Sequence, residues 1–171
     1  MEKPTILENL ETETMEKIEE VKQRAMTLDE AKTMTDFFDK WYYGNDRSHD
    51  AELEVIQDAV MNSSVIVQTL AEYRMVLEKA LGQDKAEEIL AHENAHANVA
   101  LSLGAEFMGY TLLICKDKDD FAIRGGAPYR LPIEWTDEEK KAAHIRIYAA
   151  PEEYGEKLSP TDEKVIDGLK D

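Results

Sequence analysis

Apolar residues recur at helical spacing over most of the chain. From position 5 to about 25, Leu7, Leu10, Ile18, Val21 and Ala25 line one face, with Thr14 in the stripe and glutamates and lysines opposite, which predicts an amphipathic helix. Thr27 and Glu30 have capping-box spacing and open a second helix to about Tyr43, carrying Leu28, Met34, Phe37, Phe38, Trp41 and Tyr42 for packing against a neighbour. Gly44-Asn45-Asp46-Arg47-Ser48 reads as a loop, followed by a solvated His49. From Asp50, the residues Leu53, Ile56, Val60, Val67, Leu70, Leu77 and Leu81 form a 3-4 repeat interrupted by Ser63 and Arg74. Val55, Ala59, Ile66 and Tyr73 widen the stripe. This predicts one long helix ending at Gly82, central in a bundle.

A further helix is predicted from about Asp84 to Leu103, stopped by Gly104, with Ile89, Leu90, Ala97, Val99, Ala100, Leu101 and Leu103 for burial. The period then changes. Residues 107–115 and 121–124 read as strands joined by the polar turn 116–120, a β-hairpin packed near that helix. Gly125-Gly126 opens an irregular stretch to Pro132 and allows close approach of another backbone. Thr136 and Glu139 cap a helix to about Ala149 that buries Ala142, Ala143, Ile145 and Tyr148, with Pro151 ending it. Ser159-Pro160-Thr161-Asp162 reads as an N-cap, a proline at the first helical position and an acid in the first turn of a final helix.

Composition narrows the function classes. The 171 residues, 43% hydrophobic and 33% charged, fit a folded domain rather than a disordered chain. Twenty basic against 37 acidic side chains give a net charge of -17, which argues against nucleic acid and anionic membranes as partners. The single cysteine, Cys115, lies in an apolar run and reads as a small core residue, so no internal disulfide is expected. Met1-Glu2-Lys3-Pro4 leads into acidic sequence without an apolar signal region, and no apolar run reaches the roughly 18 residues of a membrane span. A cytoplasmic location is the expectation.

Within the 84–103 helix stands His92-Glu93-Asn94-Ala95-His96, a His-Glu-x-x-His motif. Residues four apart share a helix face, so both imidazoles can point at one cation with Glu93 beside it. Zinc takes imidazole nitrogens, and a catalytic site keeps a position for water whose proton a neighbouring carboxylate can accept. Burying two histidines beside a glutamate without a partner is costly, and a bound metal resolves that cost. Catalytic zinc also asks for a third protein ligand. The metzincin pattern fails, because Val99 and Ser102 stand where it places glycine and histidine, and no thermolysin-like Asn-Glu-x-x-Ser-Asp follows.

The run from His92 through His96-Ala97 to Gly104-Ala105 resembles the proteolytic domain of FtsH-type zinc metalloproteases, whose His-Glu-Ala-Gly-His-Ala segment is followed by small and apolar residues and a glycine. The resemblance continues into Tyr148-Ala149-Ala150-Pro151-Glu152-Glu153-Tyr154-Gly155-Glu156 and into Ser159-Pro160-Thr161-Asp162-Glu163, where the family places an aspartate ligand at a helix start. Asn94 and Ala95 depart from the family's Ala and Gly, and the ATPase module and membrane anchor are missing from the sequence. The resemblance implies a mostly α, helical zincin-like domain with a small β-hairpin after the metal-binding helix, residues 83–171 forming the zinc-binding region. Residues 1–82 form an N-terminal helical region packing on it. It further implies zinc on His92, His96 and Asp162, Glu93 as general base, and a peptide or unfolded protein as substrate. Asp162 has a plain alternative as a first-turn acid, and Glu163, Asp167 and His144 compete for the third ligand position. His144 also reads as a satisfied core histidine. A second function class is a non-catalytic helical interaction protein that keeps a structural zinc site.

Overall fold

The computed structural model describes residues 5–42 and 48–170, apart from the Trp41 side chain; Tyr43 and residues 44–47 of the loop expected at 44–48 lie outside the described residues. The first two helices follow their caps. Helix α1 spans Ile6–Arg24 behind Thr5, whose Oγ1 accepts from the Glu8 N–H while the Glu8 carboxylate accepts from the Thr5 N–H. Helix α2 spans Leu28–Tyr42, opened by the Thr27–Glu30 box. The apolar burial of α1 lies towards its C-terminal end: Ile18, Val21 and the cap residue Ala25 are buried, whereas Leu7 and Leu10 are exposed. His49 is half-buried rather than solvated, its ring edge-on to Phe37 at 5.4 Å between centroids.

The single long helix expected over 50–82 is three elements. Helix α3 spans Asp50–Asn62, strand β1 Ser64–Val67 and helix α4 Leu70–Leu81. Ser63 and Ser64 turn their hydroxyls inward, Ser64 Oγ donating to Val60 O at 2.7 Å and Ser63 Oγ accepting from Met26 N–H at 3.0 Å. Val65 and Val67 are buried with Ile66 exposed between them, the period of a strand. The β-branched run favours extension, and pairing with a distant strand completes it. Helix α4 then starts on its own capping box, Thr69 with Glu72.

Helix α5 spans Gln83–Ser102 and ends in a Schellman motif, with Gly104 at φ +86 and the Ala105 N–H reaching Ala100 O at 3.0 Å. Beyond it lie β2 Glu106–Phe107, β3 Tyr110–Asp117, β4 Asp120–Gly126 and β5 Tyr129–Arg130. Strands β3 and β4 form the expected hairpin, turning at Lys118, which takes a φ of +56. The sheet has the antiparallel order β1-β3-β4, so its pairing crosses residue 82, while β2 pairs with β5 separately. Cys115 is a buried free thiol in β3.

Helix α5 stands between two cores. On one side Ala86, Leu90 and Ala97 join Ile18, Val21, Val65, Tyr73, Leu77, Leu112 and Ile114. On the other, Ala95, Val99 and Ala100 meet Ile147 and Ala150. Ile147 lies in α6, Asp137–Tyr148, and Ala150 opens the short α7, Ala150–Glu153. The buried face of α6 is Ala143, His144 and Ile147; Ala142, expected inside, is exposed. Pro151 lies within α7 rather than ending the helical path. Helix α8, Pro160–Lys170, is tied to α2 by Lys164 Nζ and Asp36 Oδ1 at 2.9 Å. Among the described residues no helix is long and apolar enough to cross a membrane.

Gly125, expected in an irregular stretch, sits in β4 directly against α5. A Cβ there would lie 2.5 Å from Ile89 Cγ2, 2.6 Å from Tyr73 Oη and 3.2 Å from Glu93 Cγ. The close approach is thus to side chains. Gly125→Ala is expected to destabilise the protein by about 1–3 kcal/mol, the usual penalty for overpacking. Chemical denaturation measures it, and an unchanged midpoint and slope would refute the tight contact.

Candidate metal centre

Helix α5 presents His92 and His96 one turn apart, and α8 brings Asp162 to meet them. His92 Nε2 lies 3.0 Å from Asp162 Oδ2, His96 Nε2 lies 3.4 Å from Asp162 Oδ1, and the two Nε2 atoms are 3.2 Å apart. Taken one atom per residue, the three donors lie within 4.8 Å of one another, a set close enough to hold a metal ion. It is the one His/Cys/Asp/Glu group of this kind among the described residues. His96 and Asp162 are buried and His92 is half-buried.

Two of the three donors are oriented from behind. His96 Nδ1 is 2.7 Å from Ile147 O in α6. A carbonyl only accepts, so Nδ1 carries a proton; in the neutral ring this leaves the Nε2 lone pair on the side of Asp162 and His92, and in the protonated ring the Nε2–H donates to Asp162. Asp162 is held by Ser159: its Oδ2 accepts from the Ser159 N–H at 2.9 Å and the hydroxyl at 2.7 Å, while the Asp162 N–H donates to Ser159 Oγ at 3.1 Å. The two sequence readings of Asp162, helix cap and ligand, are therefore compatible in one side chain.

Burial opposes charge on Asp162, but hydrogen bonds from His92, His96 and Ser159 outweigh it and hold the carboxyl well below the usual range. Burial likewise opposes a charged His96, yet Asp162, Glu93 and the Ile147 carbonyl raise its pKa above the ordinary value. A second proton on His96 relieves the same crowding of acceptors that a cation relieves. Glu93 follows His92 on α5 with its Cγ against Gly125. Its surface is partly open, but protein crowds the carboxyl, and burial raises its pKa against the pull of His96 and His92. Above it, Tyr73 Oη donates to Thr111 O at 3.1 Å and accepts from the Gly126 N–H at 3.3 Å.

The competing ligands lie elsewhere. Glu163 and Asp167 face outward on α8. His144 is buried in α6 with Nδ1 2.7 Å from Tyr129 Oη, the pairing of a satisfied core histidine. Sequence reasoning missed Tyr73 and the Ile147 carbonyl; the Gly125-Gly126 pair was the available signal for the first, and a main-chain acceptor leaves none.

Burial, helped by Lys140, pushes the His144 pKa down to about 4. Its unfolded value is about 6.5, so between these two pH values the unfolded chain binds more protons and His144 makes the protein less stable as pH falls. His144→Gln keeps an acceptor for Tyr129. Relative to this variant, wild type is expected to lose up to about 3 kcal/mol between pH 7 and 4, with the difference levelling below. Urea titrations across that range check it, and a pH-independent difference would refute a neutral, buried His144.

Comparison of the chain with known protein families, with curated proteins and with solved structures finds no match to any of them.

Proposed function

We propose that this chain is a zinc-dependent metallopeptidase built on a helical, zincin-like domain of the FtsH protease type. The observation that carries the proposal is the convergence of two imidazoles and a carboxylate, with His92 Nε2 3.0 Å from Asp162 Oδ2, His96 Nε2 3.4 Å from Asp162 Oδ1, the two Nε2 atoms 3.2 Å apart, and a His96 proton held on the far nitrogen. Two imidazoles and one carboxylate are a catalytic zinc set, and three ligands leave the fourth position for water.

His92, His96 and Asp162 would hold a divalent ion, which would supply Lewis-acid polarisation of a carbonyl and a lowered pKa for a neighbouring water. Glu93 would accept that water's proton and return it to the leaving amine, a task suited to a carboxyl whose pKa burial has raised above its ordinary value. Strand β4 is an edge of the sheet, and its Gly125 lies against Glu93. An extended peptide pairing with that edge would pass the base, and main-chain pairing recognises peptides with little sequence preference. A structural zinc site has no use for a carboxylate placed like Glu93.

Metal analysis of the purified protein tests this. The expected result is about one zinc per chain surviving dialysis, with proton release on binding. Failure to retain zinc, even when it is supplied in excess, would overturn the proposal.

A further inference from the structure

In an α-helix each carbonyl accepts from the N–H four residues on. For Ile147 that residue is Pro151, which has no N–H. The chain is otherwise helical on both sides of this point: α6 runs to Tyr148 and α7 begins at Ala150 with proline in its first turn. The Ala149 N–H binds Ile145 O at 3.0 Å and only shares itself with Ile147 O, while the Glu152 N–H goes to Ala149 O at 3.1 Å. The strong partner of Ile147 O is His96 Nδ1 at 2.7 Å.

We infer that Pro151 is a positioning residue for the metal centre: by removing the one backbone donor the helix would aim at Ile147 O, it reserves that carbonyl for His96 and fixes the tautomer that leaves Nε2 free. His96 is 7% exposed, so water cannot readily replace the acceptor. Pro151 is itself fully buried, beside Ala150 in the second core. With an N–H at 151, α6 and α7 can join into one ladder, the carbonyl turns along the helix axis, and the imidazole proton can move to the nitrogen that should bind metal. The consequence for metal affinity rests on the proposed zinc site. The tautomer does not.

The test uses the full chain with nitrogen-15 histidine, metal-free, at a pH where His96 is neutral. Long-range proton–nitrogen spectra should show the Nδ1–H form of His96 in wild type and a shift towards Nε2–H in Pro151→Ala. Titration with zinc alone should show the dissociation constant rising about 10-fold or more, the usual effect of losing an outer-shell partner of a histidine ligand. Replacing Pro151 by lactic acid gives an ester with neither N–H nor ring, and should restore the wild-type tautomer and affinity. It also decides the matter should Pro151→Ala not fold. An Nε2–H tautomer in wild type overturns the inference, as does a Pro151→Ala variant with wild-type tautomer and affinity within about twofold. An ester variant that behaves like Pro151→Ala overturns it too, by assigning the effect to ring packing. Wild type with the Nδ1–H form but no affinity for zinc supports the positioning role and sinks only the metallopeptidase reading.

Discussion

Glu93→Gln is expected to lower kcat/KM on unstructured peptides by about 10²–10⁴, the contribution of a positioned general base, while zinc content stays unchanged. Glutamine keeps the length and packing of the side chain against Gly125 but cannot take a proton. Because burial works against the charge of Glu93, the variant should fold at least as stably as wild type. The paired readout matters: loss of activity with loss of zinc would point to a damaged site, and loss of activity alone to a missing base. Wild-type rates in the variant would remove Glu93 from the chemistry and favour a structural centre.

Asp162→Asn separates the two duties of one carboxylate. The asparagine oxygen can still accept from the Ser159 N–H and hydroxyl, so the start of α8 is kept. What is lost is the negative charge facing His92 and His96. Zinc affinity is expected to fall by more than about 100-fold, since an amide is a poor ligand beside two imidazoles. At a pH where His96 is protonated, the metal-free protein should lose about 1–3 kcal/mol as the charge-assisted hydrogen bond from its Nε2–H goes. Ser159→Ala makes the converse change, weakening the cap by about 1 kcal/mol with a much smaller effect on zinc. Competition titration against a chelator and thermal melts of the metal-free forms measure both. Equal zinc affinity in Asp162→Asn and wild type would reduce Asp162 to a helix cap.

Much of this architecture was legible locally because its signals are local. The capping boxes at Thr27 and Thr136 rest on side chains three residues apart, and the structure shows each reciprocal bond. Gly104 marked the end of α5 because only a residue tolerant of positive φ closes a Schellman motif comfortably. The region 50–82 misled because Leu53, Leu70, Leu77 and Leu81 do fall on a helical period. What overrides it is the pairing of Ser64–Val67 with β3, some 45 residues on, and no window of sequence contains that partner.

The same division runs through the candidate metal centre. Sequence by itself determined that His92, Glu93 and His96 share a helix and that Asp162 opens another, since helical periodicity and capping chemistry act over a few residues. It left Asp162, Glu163, Asp167 and His144 open as third partners. Only the tertiary structure separates them by position, packing α5, α6 and α8 so that Asp162 meets the imidazoles, Glu163 and Asp167 face outward, and His144 turns to Tyr129. It alone placed a main-chain carbonyl behind His96 and the Gly125 backbone against Glu93. The physical reason is that donor spacing, burial and tautomer depend on groups brought together by the two cores flanking α5, and those contacts are non-local.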